Sequence, residues 1–339
     1  MRSLDLQVDV TDAAGLGETA RVAVTVTMPD EVAHEPVVCF AKPGGGYSRR
    51  YYTEDLPGPG AGAQASWHAA RGWVFVSIDH LGVGDSTTHH DGDALSFAPV
   101  VAANHAAEQH VLDRLRDGTL ADGFPPVAGP LRLGIGQSMG GAFTVLQQGR
   151  FHCYDGVAVL GYGVLHTQPP SAPGTPPIVM PWIPRDASPS AGILTNGPAL
   201  AEVADAAGDG LDAMAWGFHF DDVDAAVVRR DLDDFPNRHG DPPPWASTTV
   251  PATAAIQCLA PGSTATEAAG IRCPVLVAVG ERDVVPDPRG EVRAYVSSPS
   301  VDLFVCPRMA HMHNFAGTRE LLWRRLETWA AWARVAAST

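Results

Sequence analysis

The chain has 339 residues, 45% of them hydrophobic, and a formal net charge of −15, enough length for one large α/β domain with an insertion or for two domains. An acidic chain has no cation surplus to neutralise phosphates, which sets aside nucleic acid and anionic membranes as partners. Its five cysteines form no CxxC pair and no metal-ligand spacing, the N-terminus lacks a signal-type apolar segment, and no run is long enough to cross a bilayer, so buried reduced thiols and a cytoplasmic location are expected.

Taken in order, residues 4–10 and 21–28 alternate apolar and polar side chains at period two, and the Gly15/Gly17 loop between them predicts a leading antiparallel hairpin. A strand at 35–41 runs into Lys42-Pro43-Gly44-Gly45-Gly46-Tyr47. Consecutive glycines leave backbone N–H groups uncovered, and acyl transfer needs such donors where negative charge develops. Arg49 and Arg50 follow closely and are candidates to meet a substrate carboxylate. Residues 72–79 form the next buried strand, and 102–120 carry helical spacing up to the Asp117-Gly118 stop.

The apolar run 127–135 then leads into Gly136-Gln137-Ser138-Met139-Gly140, and a small, aliphatic helix-forming run follows at once. A strand, a sharp turn and a helix with serine at the apex place a weak nucleophile where a base can take its proton. Residues 155–163 form another strand. From 165 to 270 the chain turns Pro- and Ala-rich without buried-strand runs, with helices expected at 198–207, 210–218 and 221–232. Too long for a loop within a compact domain, this segment reads as an insertion. Strands at 274–280 and 301–306 restore the alternation of a mostly parallel sheet, and a final helix is expected at 318–334.

The glycine-flanked serine, the glycine loop, Glu281-Arg282-Asp283 after one strand and Ala310-His311-Met312-His313 after the last together resemble the α/β-hydrolase superfamily. The resemblance covers nearly the whole chain. It implies a core of residues 1–164 and 271–339, with 165–270 as a cap. Ser138 would be the nucleophile and Asp283 the acid, with Glu281 as runner-up, since Gly161-Tyr162-Gly163 offers no carboxylate after the preceding strand. His311 would be the base, favoured over His313 because the small Ala310 precedes it. The oxyanion donors would be the N–H of Met139 and that of Gly45 or Gly46, although Pro43 stands where relatives carry histidine.

Asp79 and His80 read as structural. Tyr47, Trp182, Trp216 and His313 are the candidate substrate contacts, although the first expectation for any single cap aromatic is the cap's own core. His166, His219 and His239 read as surface or capping histidines. The expected reaction is hydrolysis of a moderately apolar ester or lactone, needing no metal and no organic cofactor. Carbon–carbon bond hydrolysis and acyl transfer are the alternatives within the superfamily, and a catalytically silent small-molecule binder is the alternative from another class. A small-molecule substrate is the expected partner, and a homodimer is left open.

Overall fold

The computed structural model describes residues 1–174, 211–236 and 238–337. One eight-stranded sheet, in the order β1-β2-β4-β3-β5-β6-β7-β8, is built from β1 Arg2–Asp9, β2 Arg21–Met28, β3 Val37–Lys42, β4 Val74–Ile78, β5 Leu131–Gln137, β6 Gly156–Leu160, β7 Val275–Gly280 and β8 Val301–Cys306. β1 pairs antiparallel with β2, and β2 antiparallel with β4. All other pairs are parallel. The composition follows: β3, β4, β6 and β7 are unbroken buried runs, as strands covered on both faces require, whereas β1 alternates as a half-exposed edge does.

Two apolar clusters cover the faces. One gathers Val24, Phe40, Val100 and Phe143; the other gathers Phe75, Leu133, Leu326 and Trp329, the last two from the C-terminal helix Arg319–Ala337. The crossover helix runs Phe97–Arg116 and so begins before the predicted residue 102. Pro99 lies in its first turn, where a missing N–H costs no helical bond. The elbow strand begins at Leu131, later than the predicted 127: Pro130 cannot donate to a ladder, and the first pairing is Leu131 N–H to Pro36 O at 3.0 Å.

Among the described residues, the segment between β6 and β7 contains no strand and includes helices Leu211–Phe218, Ala225–Leu232, Ala252–Leu259 and Ala265–Ala269. The helix expected at 198–207 and the candidate contact Trp182 lie outside the described residues. A bridge between Tyr47 and Ala246 ties this segment to the glycine loop. All five cysteines are buried and free, and no described helix is long and apolar enough to cross a membrane.

Candidate active site

β5 ends at Gln137, and helix Met139–Phe151 begins two residues later. The residue between them, Ser138, has φ 55° and ψ −123°, a conformation that L-residues hold only under constraint from their surroundings. That constraint is the close approach of backbones. A Cβ on Gly136 would collide with the Gly140 carbonyl, and one on Gly140 with the carbonyl of Lys42 at the end of β3. The glycines two before and two after the serine are therefore obligatory.

Two sheet ends away, β7 closes into a turn that buries Asp283. Its Oδ1 accepts from His311 Nδ1 at 2.7 Å and from the Val284 N–H at 2.7 Å. Its Oδ2 accepts from the Gly280 N–H at 2.7 Å and from His313 Nε2 at 2.7 Å. Burial alone would raise this carboxyl, but the two imidazoles outweigh it and hold the group well below the usual carboxylate range. Gly161, at φ 57°, clears the space: a Cβ there would sit 3.0 Å from Asp283 Oδ1 and 3.1 Å from His311 Nδ1.

His311 is fixed from other sides as well. Its N–H donates to Gly217 O at 3.0 Å, its carbonyl accepts from Gln137 Nε2 at 2.9 Å, and Phe218 meets the ring edge-on at 4.9 Å. Ser138 and His311 both line one cavity of about 210 Å³, together with Gly44, Gly45, Met139 and the apolar Phe218, Phe235, Leu259 and Met312. No hydrogen bond joins Ser138 Oγ to the imidazole; His311 Nε2 instead faces Gln137 Nε2 at 3.4 Å. Catalytic bonds of this kind commonly tighten only around substrate.

The two proposed oxyanion glycines part company. Gly45 lines the cavity, whereas Gly46 turns away, its carbonyl accepting from Arg238 Nη1 and from the Ser247 N–H at 3.0 Å. Tyr47 contributes its ring to the cavity wall, while its hydroxyl donates to buried Asp231 at 2.7 Å. Trp216, expected as a substrate contact, stands elsewhere, its ring beneath the Arg282 guanidinium at 4.6 Å and not in the cavity lining. His313, also expected as a substrate contact, is absent from that lining because its ring is turned onto Asp283.

Arg49 is equally spent. It is buried against Asp79, with Nη1 at 2.5 Å from Oδ2, and reaches Asp85 at 2.8 Å. His80 holds the glycine loop from beneath, its Nε2 3.1 Å from Pro43 O and its Nδ1 2.9 Å from Asn104 Nδ2. Burial pushes this imidazole down to about 3 and keeps it neutral. Among the described residues, Glu18, His89 and His90 could together hold a metal ion, and none of them lines the cavity.

The sequence matches no family model and no curated protein. Solved structures do match along nearly the full length. Proline iminopeptidase from Mycobacterium smegmatis superposes with a TM-score of 0.62 at 15% identity, over 98% of this chain and 100% of that one. A thermophilic esterase from Thermogutta terrifontis gives 0.57 at 13% identity, over 97% and 99%. A loop variant of a haloalkane dehalogenase from Bradyrhizobium elkanii gives 0.59 at 12% identity, over 99% of each chain. The chain has the α/β-hydrolase fold.

Within this α/β-hydrolase fold, three contributors escape a reading of motifs. Gln137 is one of the two variable positions of the elbow pentapeptide, and its amide buttresses His311. Gly161 carries no motif of its own. Asp231 is one carboxylate among many in an acidic chain, yet it accepts from Tyr47 Oη, His219 Nε2 at 2.9 Å and Trp245 Nε1 at 2.7 Å. His219 is therefore a buried partner of that carboxylate, not the surface or capping residue expected.

Proposed function

We propose that the chain is a serine hydrolase that cleaves an ester or lactone of a moderately apolar small molecule through an acyl-enzyme. The observation that carries this reading is the pairing of Ser138, on a constrained strand-to-helix turn, with His311 in one cavity, the imidazole held at Nδ1 by Asp283. In the first step His311 Nε2 takes the hydroxyl proton as Ser138 Oγ attacks the acyl carbon. The Met139 and Gly45 N–H groups stabilise the oxyanion, and the imidazolium, steadied by Asp283, returns its proton to the leaving oxygen. A water activated by the same imidazole then hydrolyses the acyl-enzyme and regenerates Ser138.

The nature of the cavity supports a neutral acyl substrate. Among the described residues its wall has aromatic and aliphatic side chains and no lysine or arginine; Arg49, buried behind the glycine loop, is neutralised by Asp79 and Asp85, and Arg238 is spent on the Gly46 carbonyl and on Asp231. That arrangement weighs against carbon–carbon hydrolysis of anionic substrates. Residues 165–270 act, in this reading, as a cap whose Phe218 and Phe235 face the acyl group. The chemistry calls for no metal and no organic cofactor.

The test is a panel of p-nitrophenyl esters of short and medium acyl chains beside lactones and a dienoic diketone. The proposal expects ester or lactone turnover that disappears in Ser138→Ala. Turnover of the diketone alone would favour the carbon–carbon reading, and ester turnover unaffected by the substitution would contradict the assignment of the nucleophile.

A further inference from the structure

The Asp283 carboxylate has more donors than a histidine-orienting acid needs. Each oxygen takes one backbone N–H and one imidazole, so that Gly280 N–H and His313 Nε2 bind Oδ2 while Val284 N–H and His311 Nδ1 bind Oδ1, all at 2.7 Å. His313 lies outside the cavity lining, and its side chain is only 2% exposed. Its Nδ1 has no hydrogen-bond partner among the described residues. A buried imidazole nitrogen left unpaired costs stability, so the ring's orientation serves its other nitrogen. Donation from Nε2 to a carboxylate requires the proton on Nε2, a tautomer set by the network.

We infer that His313 is a positioning residue for the reaction proposed above: by fastening Oδ2 it stops rotation of the Asp283 carboxylate and keeps Oδ1 in line with His311 Nδ1. This deepens the serine-hydrolase reading and rests on it. The arrangement has a local origin. His311 and His313 are two apart on one connection, the single-turn helix His313–Phe315 begins at the second of them, and the His313 N–H donates to His311 O at 3.1 Å. The two rings thus approach opposite oxygens of the same carboxylate, 6.4 Å apart between centroids and steeply inclined at 75°. Misalignment of a catalytic group by an ångström costs about 10²-fold in rate, and that is the scale of effect expected here.

Two substitutions separate donation from packing. His313→Leu keeps an apolar side chain of similar bulk without a donor, whereas His313→Gln can bring an amide N–H along a side chain of the same length to Oδ2. Ester hydrolysis and the rate of fluorophosphonate labelling at Ser138 are measured for both, beside wild type. The expected result for His313→Leu is a fall of about 10²-fold in kcat and in labelling rate with KM nearly unchanged, and for His313→Gln recovery of most of that loss. Wild-type kcat in His313→Leu, or equal losses in both variants, overturns the inference.

A proton spectrum of the full chain gives a readout that does not depend on turnover. The low-field signal of the His311 Nδ1 proton should move in His313→Leu and stay in His313→Gln; a signal unmoved in both overturns the inference. Absence of turnover and labelling in wild type would instead sink the serine-hydrolase reading, so the two failures are distinct.

Discussion

The Tyr47 hydroxyl donates to Asp231 at 2.7 Å across 184 positions of sequence, joining the residue that ends the glycine loop to a carboxylate in the segment between β6 and β7. The same loop is held by Arg238 at the Gly46 carbonyl, by the Ser48 N–H to Trp245 O at 2.9 Å, and by His80 at Pro43 O. The loop that brings Gly45 to the cavity wall is thus fixed by residues on both sides of it, and its rigidity does not come from its own glycine-rich sequence. Oxyanion stabilisation depends on donors that need no reorganisation during reaction, so in the proposed reaction these anchors would bear on rate as well as on stability.

Asp231→Ala would leave the donors of Tyr47, His219 and Trp245 buried without an acceptor. Removing one side of a buried charged network typically costs about 3–5 kcal/mol. The urea unfolding midpoint should fall accordingly, and kcat should fall with it in whatever fraction stays folded. A loss under about 1 kcal/mol would mean that the network relaxes around water, contrary to this account.

Glu291 sets a pH dependence of stability. It is buried and accepts from the Val164 and Leu165 N–H groups, and desolvation, opposed by those bonds and aided by Asp287, pushes its carboxyl from 4.5 up to about 7. The folded chain therefore keeps a proton that the unfolded chain has lost. Stability should fall as pH rises from about 4.5 through about 7 and then level off. Glu291→Gln retains an acceptor and cannot ionise, so its advantage over wild type should grow across that window. Parallel stability curves for the two proteins would show that Glu291 does not hold the extra proton.

Gly161→Ala tests the space around the acid and its histidine. The substitution puts a methyl 3.0 Å from Asp283 Oδ1 and 3.1 Å from His311 Nδ1, at a residue with φ 57°. The left-handed backbone alone costs an L-residue about 1–2 kcal/mol. Because the methyl pushes on both partners of one hydrogen bond, kcat should drop by about 10²-fold while the fold survives. Unchanged kcat would show that the pair has room to shift without losing alignment.

Some of this was legible in the sequence and some was not, for reasons that differ by residue. Buried strands announce themselves by continuous apolar runs, so composition is enough to place β3, β4, β6 and β7. The elbow was legible because its close backbone approach restricts positions 136 and 140 to glycine. His311 and Asp283 follow strand ends and could be put on the same edge of a parallel sheet. Which way a side chain turns once there was not legible. By sequence His313 is a rival of His311 for the base or a pocket residue, and only the folded turn at 313–315 sets its ring against Asp283. Gly45 and Gly46 are identical in sequence and differ in the fold, where the second takes φ 78° and has its carbonyl bound by Arg238 and Ser247. The chain also gave no local sign that Trp216 would stack under Arg282, a partner 66 positions away by sequence number.

The central claim is that Ser138 is a nucleophile activated by His311. The direct measurement is labelling of the full chain with a fluorophosphonate, followed by mass spectrometry of the modified peptide. The account predicts prompt stoichiometric modification at Ser138 in wild type, none in Ser138→Ala, and a rate lowered by at least about 10⁴-fold in His311→Ala. Modification at another residue, or labelling of His311→Ala at the wild-type rate, would contradict it.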